Sequence, residues 1–257
     1  MKSTALTRNV SPLLAECELT HLNRSPIDIA KAAEQHQAYE KALETMGYTI
    51  LRLPDLPDHP DGVFVEDTAF VLPEIAIIAR PGAESRRAET DSMASVLEAY
   101  RVLHPITSPG TLDGGDVLVL GKTIYIGSSG RTNHHAIQQV AEITRPIGYK
   151  VVAVPVTGCL HLKTAVSAIE EDLILMNPEW IDPAIFEGCR SIPVHPSEPF
   201  GANVMRKNNT ALTPISFPGT AEVLQKLGYD LLTVDQSELA KAEAGLTCCS
   251  VIVPHLS

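Results

Sequence analysis

The feature that most constrains the fold is a repeated order of short apolar runs and amphipathic stretches along the chain. Strands are predicted at 49–53, 64–72 and 75–79, where Val, Ile and Phe are frequent and Pro or charged residues mark the ends. A helix is predicted to follow at 84–100, because Ala, Glu and Arg favour helical structure. Three strands and one helix therefore define a unit that can be sought in the rest of the chain.

The same unit recurs towards the C-terminus. The later predicted elements are strands at 104–106, 117–120 and 123–126, a helix at 133–144, strands at 150–154, 164–169 and 173–176, a short helix at 183–187, strands at 191–194, 202–206 and 210–214, a helix at 220–227, and strands at 230–234 and 246–253. The last unit lacks a strand and a helix, and N-terminal segments 3–10 and 27–46 supply both. We therefore predict an α/β fold of five units, with a period of roughly 40–50 residues, closed into a ring by pairing of the terminal strands.

A ring of this kind has a consequence for function. The second strand of each unit would lie innermost and would deliver its first residues to one central channel. Those strands begin near acidic, basic, amide and thiol side chains, namely Glu66, Asp67, Asp116, Lys163, Asn203 and Cys248. The alternative is an ordinary open α/β sheet, in which these residues would not converge.

Size, charge and cysteine content narrow the class of protein. The 257 residues suit one domain, expected over 1–257, and the net charge of −11 disfavours nucleic acid and anionic membranes as partners. The five cysteines are odd in number, and two are adjacent, which favours a reduced cytoplasmic protein. We identify no signal peptide, no membrane-spanning run and no metal-ligand spacing.

Two acidic motifs are candidates for a cation site. The segment DGVFVEDTAF holds Asp61, Glu66 and Asp67, and adjacent acids in a strand would point to opposite faces. Burying them is costly unless they bind a cation, although a solvated strand entry is the simpler interpretation. In TLDGGDVLVLG, the two glycines permit a tight turn that would aim Asp113 and Asp116 into a site, or else form a plain β-turn.

The nucleophile and base candidates stand near two other predicted strands. His161 begins an apolar strand in GCLHLKTAVSAI, where a lone histidine is more often structural. GLTCCSVIV places Cys248 and Cys249 in a strand, on opposite faces, so that at least one of them is expected to be inert. Arg86 and Arg131 suit carboxylate binding, with a surface or helix-start role as the alternative.

Taken together, the motifs FVEDTAF, ARPGAESRRAET, TLDGGDVLVLG, IYIGSSGRTN, LHLKTAV and LTCCSVIV resemble the dimethylargininase family (dimethylarginine dimethylaminohydrolases). The resemblance spans nearly the whole chain in the right order. The family belongs to the guanidino-group-modifying enzymes, whose fold is a five-bladed α/β propeller (pentein). The implied activity is hydrolysis of N(omega)-methylated arginine to citrulline and dimethylamine or methylamine, with no metal or organic cofactor.

The resemblance also implies roles for individual residues. Cys248 resembles the nucleophile, His161 the general acid/base, and Asp113 the carboxylate that orients the histidine. The expected substrate contacts are the acids Asp61, Glu66 and Asp67 on the guanidinium group, Arg86 and Arg131 on the α-carboxylate, the backbone near Ala242 on the amino group, and Glu18 on the lid loop. A homodimer is expected by analogy with relatives.

Two departures from the family pattern leave the N-substituents of the substrate open. The lid loop usually offers a leucine where this chain has Glu18 or Cys17, and Glu243 stands where an aspartate is usual before the nucleophile. An arginine deiminase-like hydrolase with another substrate is one alternative. A non-catalytic protein that binds arginine-like cations is the other, although a pure binder does not need Cys248.

Overall fold

Five three-stranded sheets form the architecture of residues 3–254, the part of the chain that the computed structural model describes. Within each sheet, in the spatial order in which the strands are named below, the first strand is antiparallel to the second and the second is parallel to the third. Sheet by sheet, the strands are β15 (Val251–Val253), β1 (Thr4–Thr7) and β2 (Thr49–Arg52); β3 (Ala69–Val71), β4 (Ile75–Ile78) and β5 (Val102–Pro105); β6 (Val117–Leu120), β7 (Thr123–Ser128) and β8 (Lys150–Pro155); β9 (Val166–Glu170), β10 (Leu173–Met176) and β11 (Arg190–Pro193); and β12 (Met205–Lys207), β13 (Thr210–Pro214) and β14 (Asp230–Val234).

The parallel pair in each sheet is joined by a crossover segment, as parallel strands require. The crossovers are α1 (Ile29–Thr45), α2 (Glu89–Leu97), α3 (His134–Thr144), a 3₁₀ turn (Pro183–Ile185) and α5 (Pro218–Lys226). Two further short helices are α4 (Leu162–Ala165) and α6 (Ser237–Ala240). Side-chain caps define where α1 and α3 begin, since Asp28 accepts the Lys31 N–H and Asn133 accepts the Ala136 N–H. The short helix predicted at 183–187 is only a 3₁₀ turn in the structure, at Pro183–Ile185.

The terminal strands close the ring. β1 pairs with β15 through Thr4–Val253 and Leu6–Val251, and with β2 through Leu6–Leu51. This arrangement confirms the predicted pairing of the N- and C-terminal strands and the five-unit α/β propeller. The first strands of neighbouring sheets, such as β3 and β15 or β9 and β12, contact one another around the axis. They are the innermost strands, so residues at their beginnings meet at the centre.

Apolar side chains fill the space between the sheets and their crossover segments. Ile77 and Ile124 are fully buried beside Val140 of α3, and Leu43 of α1 packs in the cluster that contains Leu246. Each such burial stabilises the fold by about 1.5–3 kcal/mol. Within residues 3–254 we find no helix that is long and apolar enough to cross a membrane.

The innermost strands begin differently from the prediction. The predicted strands at 64–72, 164–169 and 246–253 open with short helical turns, at Val65–Thr68, Leu162–Ala165 and Thr247–Cys249. The strands proper follow these turns. The expectation that Glu66 and Asp67 point to opposite faces of a strand was therefore wrong, as was the placement of the two adjacent cysteines in a strand. On a 3₁₀ turn, successive residues are about 120° apart instead.

Candidate active site

Four helical turns and one loop converge where the innermost strands begin. The turns are Val65–Thr68, Gly114–Asp116, Leu162–Ala165 and Thr247–Cys249, and the loop carries Asn203 just before β12. Polar side chains that are less than a tenth exposed line this region. They include Asp61, Glu66, Asp67, Arg86, Asp113, Asp116, His161 and Asn203. A buried group this rich in charge marks a functional site, because such groups are expensive to keep away from water.

His161 and Asp113 form a hydrogen-bonded pair in this region. The His161 Nε2 atom lies 3.1 Å from Asp113 Oδ2, and Nδ1 lies 3.9 Å from Asp67 Oδ1. The Gly82 N–H donates to Asp113 Oδ1 at 2.8 Å and fixes that carboxylate. Burial alone would lower the pKa of His161, but Asp67, Asp113 and Asp116 together raise it to about 9. The imidazole is therefore protonated at neutral pH.

The glycine pair before Asp116 allows these side chains to approach. A Cβ atom on Gly115 would lie 2.6 Å from His161 Nδ1 and 2.8 Å from Asp67 Oδ1. Any residue larger than glycine would thus displace the imidazole. The Gly115 N–H donates to Asp67 Oδ1 at 3.0 Å, and Asp116 Oδ1 accepts the Leu162 N–H at 2.9 Å. The close backbone approach predicted for this motif is confirmed.

Asp67 belongs to a second buried cluster with Arg86. Arg86 Nη1 lies 2.6 Å from Asp67 Oδ2, and Nη2 lies 3.0 Å from Glu89 Oε2 and 2.9 Å from the Phe64 carbonyl oxygen. Burial would raise the pKa of Asp67, but His161 and Arg86 hold it at about 2. The Arg86 guanidinium is thus engaged by the protein itself, and contact with a substrate carboxylate would require it to release a partner.

Glu66 lies between a lysine and a threonine. Its Oε1 accepts from Lys163 Nζ at 2.5 Å, and its Oε2 accepts from Thr247 Oγ1 at 2.7 Å. Burial raises the pKa of Glu66, and the lysine offsets part of this rise. Thr247 directly precedes Cys248, so this carboxylate is held beside the cysteine turn.

Asp61 connects the site to the exposed segment at 18–24. Its Oδ2 accepts the Glu18 N–H at 3.1 Å, while the Glu18 carboxylate accepts from Ser85 Oγ at 2.6 Å. Burial raises the pKa of Asp61 to about 6, against the lowering effect of Arg86. Glu18 therefore lies at the edge of the site, and its side chain is already partnered by Ser85.

Glu243 and Arg131 hold the same segment, which we call the lid (residues 18–24). The Glu243 carboxylate accepts three lid N–H groups, from Thr20 at 3.0 Å and from His21 and Leu22 at 2.5 Å each. Arg131 Nη2 donates to Thr20 Oγ1 at 3.0 Å, and Nη1 lies 3.8 Å from Asp113 Oδ2. Both residues flank the site. Buried Ala242, the expected amino-group contact, directly precedes Glu243.

The two adjacent cysteines differ in environment. Cys248 is partly exposed, and its Sγ accepts the Gly245 N–H at 3.3 Å. Cys249 is fully buried in the core cluster that contains Leu246. Burial raises the pKa of the Cys248 thiol, and the Glu66 and Asp67 carboxylates raise it further. Access favours Cys248 over the fully buried Cys249 as the reactive thiol, and within residues 3–254 the cysteines are all free.

Three site residues offer ligand atoms at metal-like spacing. One ligand atom each from Asp67, Asp113 and His161 lies within 4.8 Å of the other two. Hydrogen bonds within the protein already account for this grouping: Asp67 is bonded by Arg86 and Gly115, and Asp113 is bonded by Gly82 and His161. The group has the composition of an oriented acid/base.

Sequence reasoning missed several residues that build this site. Glu89, whose carboxylate pairs with Arg86, follows that arginine at the i,i+3 spacing typical of helical ion pairs. This spacing is visible in the sequence and could have predicted the pair. Lys163 was predicted only as a basic residue near the axis, and Thr247 was not singled out. Both contacts with Glu66 span long stretches of the chain, so no local pattern predicts them.

The sequence of this chain matches a known protein family. A family model described as N,N dimethylarginine dimethylhydrolase, eukaryotic, matches residues 20–187. An N(G),N(G)-dimethylarginine dimethylaminohydrolase of Streptomyces coelicolor is 44% identical over 257 residues, which cover 98% of this chain and 97% of the relative.

Solved structures agree with these sequence matches. A DDAH from Pseudomonas aeruginosa, in a cysteine-to-serine mutant complexed with citrulline, is 33% identical and superposes with a TM-score of 0.91, covering 98% of this chain and 100% of that one. A dimethylarginine dimethylaminohydrolase with a histidine-to-glycine change, in an adduct with S-methyl-L-thiocitrulline, is 34% identical and has a TM-score of 0.92 with the same coverage.

Proposed function

This chain belongs to the dimethylarginine dimethylaminohydrolase family, and from that premise we propose how its central site carries out the reaction. The protein is a cysteine-dependent hydrolase that converts N(omega)-methylated arginine to citrulline and dimethylamine or methylamine. The single observation that carries the assignment of residues is the convergence of Cys248, the His161–Asp113 pair and three buried acids on one axis. We propose that residues 1–257 act as one catalytic domain.

The three acids form the guanidinium subsite. Asp61, Glu66 and Asp67 are all less than a tenth exposed, and a planar cation with several N–H donors is the ligand that such a group of carboxylates binds best. Asp67 is ionised throughout the physiological range, because its pKa is held at about 2. These acids hold the guanidinium carbon in line with the Cys248 sulfur, which supplies the positioning part of catalysis.

Thiol activation depends on the substrate. A free cysteine has a pKa of about 8.5, and burial together with nearby carboxylates raises the pKa of Cys248 above its usual range. The thiol is therefore protonated in the free enzyme at neutral pH. A cation bound against Asp67 and Glu66 neutralises their effect on the sulfur, and the protonated His161 adds a second positive charge. The substrate thus promotes formation of its own nucleophile.

The reaction then proceeds in two halves. The Cys248 thiolate adds to the guanidinium carbon, and the bond to the substituted nitrogen breaks as His161 gives that nitrogen a proton. The product of this half is a covalent thiouronium on Cys248 and a free amine. In the second half, neutral His161 removes a proton from water, and the resulting hydroxide adds to the same carbon. The carbon–sulfur bond then breaks as the hydroxyl proton passes to the sulfur, which releases citrulline and restores the Cys248 thiol. Asp113 keeps the imidazole oriented through both halves.

The amino-acid end of the substrate lies towards the lid. Arg131 contacts both the lid and Asp113, and we assign to it the substrate α-carboxylate. The backbone at Ala242 receives the amino group, and Glu18 borders the subsite from the lid. For Arg86 we propose a positioning role instead, since Asp67 and Glu89 already engage its guanidinium. We further propose a cytoplasmic location, in keeping with the free cysteines, and a homodimer by analogy with relatives.

The experiment that tests this function compares substrates. Purified protein is incubated with asymmetric dimethylarginine and, separately, with arginine, and citrulline and the released amine are measured by mass spectrometry. Citrulline with dimethylamine supports the proposal. Ammonia from arginine, with no product from dimethylarginine, would instead indicate a deiminase. Binding of both without product would indicate a non-catalytic cation-binding protein.

A further inference from the structure

A lysine side chain lies in a site that must receive a cation. Lys163 belongs to the short helix α4, two residues after His161, and its side chain is only 15% exposed. Its Nζ is 2.5 Å from Glu66 Oε1, whose own side chain is 10% exposed. A positive charge at this place opposes binding of a guanidinium group, so its presence requires a compensating benefit.

The surroundings of Glu66 indicate what that benefit is. The charged or titratable groups that act on this carboxylate, or that it acts on, are Lys163, Asp67, Cys248, Cys249 and Tyr39. Lys163 is the cation among them, and Asp67 is a second negative charge. An acid that is buried beside another carboxylate takes up a proton unless a cation compensates it. A protonated Glu66 would lose its attraction for the guanidinium group.

A hydrogen-bonded frame fixes Lys163 and Glu66 relative to the nucleophile. Asn203 Nδ2 donates to the Lys163 carbonyl oxygen at 2.8 Å and to Thr247 Oγ1 at 3.1 Å. Asn203 Oδ1 accepts the Thr247 N–H at 3.0 Å, and Thr247 Oγ1 in turn donates to Glu66 Oε2 at 2.7 Å. The two oxygens of Glu66 are therefore tied to different sheets of the propeller, one of them through the residue before Cys248.

We propose that Lys163 is a positioning residue that keeps Glu66 ionised and oriented behind the guanidinium subsite. The inference rests on the proposed function, because it concerns recognition of the same cationic substrate. In the free enzyme the lysine compensates one oxygen of the carboxylate, and each oxygen keeps a second lone pair that can accept from a guanidinium N–H. The lysine also acts on Cys248, since its charge opposes the carboxylates that raise the pKa of this thiol.

A purely structural role for Lys163, as a plug in the central channel, predicts a different result. Loss of a plug loosens the site equally at every pH. Loss of the compensating charge weakens binding only where Glu66 takes up a proton, and binding recovers at higher pH. The pH dependence of ligand affinity therefore separates the two roles.

The test uses the Cys248→Ser protein, which is expected to bind substrate without turnover and which removes the thiol titration. Affinity for asymmetric dimethylarginine is measured by calorimetry from about pH 6 to about pH 9, the range in which a raised carboxyl pKa would be seen. Asp67 stays ionised in this range, and the pKa values of Tyr39 and Cys249 lie well above their usual ones. The pKa values of Asp61, about 6, and of His161, about 9, fall at the two ends of the range, so each variant is compared with its parent at the same pH. Folding of each variant is checked by circular dichroism at each pH.

Three variants in the Cys248→Ser background define the outcome. With Lys163→Met, the pH below which affinity falls is expected to move upwards, with a loss of about tenfold for each pH unit below it and recovery above it. Lys163→Arg is expected to keep the parent profile. Adding Glu66→Gln to Lys163→Met is expected to remove the pH-dependent loss that Lys163→Met adds to the parent profile. Lys163→Gln replaces Lys163→Met if the latter does not fold.

The opposing results are distinct. A loss of affinity that is the same at every pH, or an unchanged profile in the charge-free variants, would overturn the role of Lys163 while leaving the proposed function in place. Failure of the Cys248→Ser protein itself to bind dimethylarginine at any pH would overturn the proposed function and, with it, this inference.

Discussion

Replacing Arg86 by methionine would test whether this arginine is a component of the site scaffold or a substrate clamp. The side chains of Arg86, Asp67 and Glu89 are 4%, 4% and 1% exposed, and the arginine bonds both carboxylates. Arg86→Met therefore leaves two buried carboxylates without this cation, and His161 remains as the cation beside Asp67. Removing one partner of a buried ion pair costs about 3–5 kcal/mol, a large share of the about 5–15 kcal/mol that stabilises a typical domain.

Urea denaturation followed by circular dichroism measures this loss. A decrease of 3 kcal/mol lowers the midpoint by about 1 M or more at ordinary denaturant slopes. The matched control is Arg87→Met, because Arg87 is the next residue and pairs with Glu84, whose side chain is 83% exposed. Such surface pairs contribute about 0–1 kcal/mol, so the control should unfold close to the parent midpoint.

The loss in Arg86→Met should also depend on pH. In the parent protein the pKa of Asp67 is about 2, below its unfolded value, so its stabilising contribution is present above about pH 4 and is lost as pH falls through about 2. In the variant, burial raises the pKa of Asp67 with His161 and the Gly115 N–H left to oppose it, and the penalty is relieved when this carboxylate takes up a proton. The stability gap between parent and variant should therefore narrow from pH 7 to about pH 5. A gap below about 1 kcal/mol at pH 7, together with a large rise in KM, would refute the scaffold role and favour a clamp.

Further predictions concern the nucleophile, the acid/base and the lid. Cys248→Ser should abolish turnover with the fold intact, whereas Cys249→Ser should retain most activity in the same amine-release assay; equal losses would contradict the choice of Cys248. Asp113→Asn should lower kcat about a hundredfold or more, and loss of this carboxylate should move the alkaline limb of the rate profile to lower pH, because the pKa of His161 falls; an unshifted limb would argue against their pairing. Glu243→Ala should raise KM about tenfold through loss of the lid hydrogen bonds, with Glu243→Asp retaining part of the effect, and an unchanged KM in steady-state kinetics would exclude a lid-holding role.

The propeller could be predicted from the sequence because each repeat shows as apolar periodicity within a short stretch of the chain. Each apolar run becomes a strand within a few residues of its expected place, and the missing parts of the last unit are supplied by the N-terminus, as β1 and α1. The convergence of Glu66, Asp113 and Cys248 followed from that topology together with family resemblance. Period and order of elements are local properties of a sequence, so they can be derived without knowledge of tertiary contacts.

The short turns at the axis were not predictable in the same way. Their backbone groups are satisfied by distant partners, such as the Gly115 N–H on Asp67 and the Leu162 N–H on Asp116. Local propensity favours a continuous strand there, and tertiary hydrogen bonds override it. The contact between Glu66 and Lys163 could not be predicted for the same reason, because the two residues are 97 positions apart in the sequence.

The most direct test of the central claim is to trap the covalent intermediate. The His161→Gly variant is mixed with S-methyl-L-thiocitrulline, whose methylthio leaving group depends little on a proton donor, and the quenched protein is analysed by intact mass and peptide mapping. The account predicts an adduct equal to the ligand less methanethiol, located on Cys248 and absent from Cys248→Ser/His161→Gly. An adduct on Cys249, or an adduct that persists when Cys248 is replaced, would contradict it.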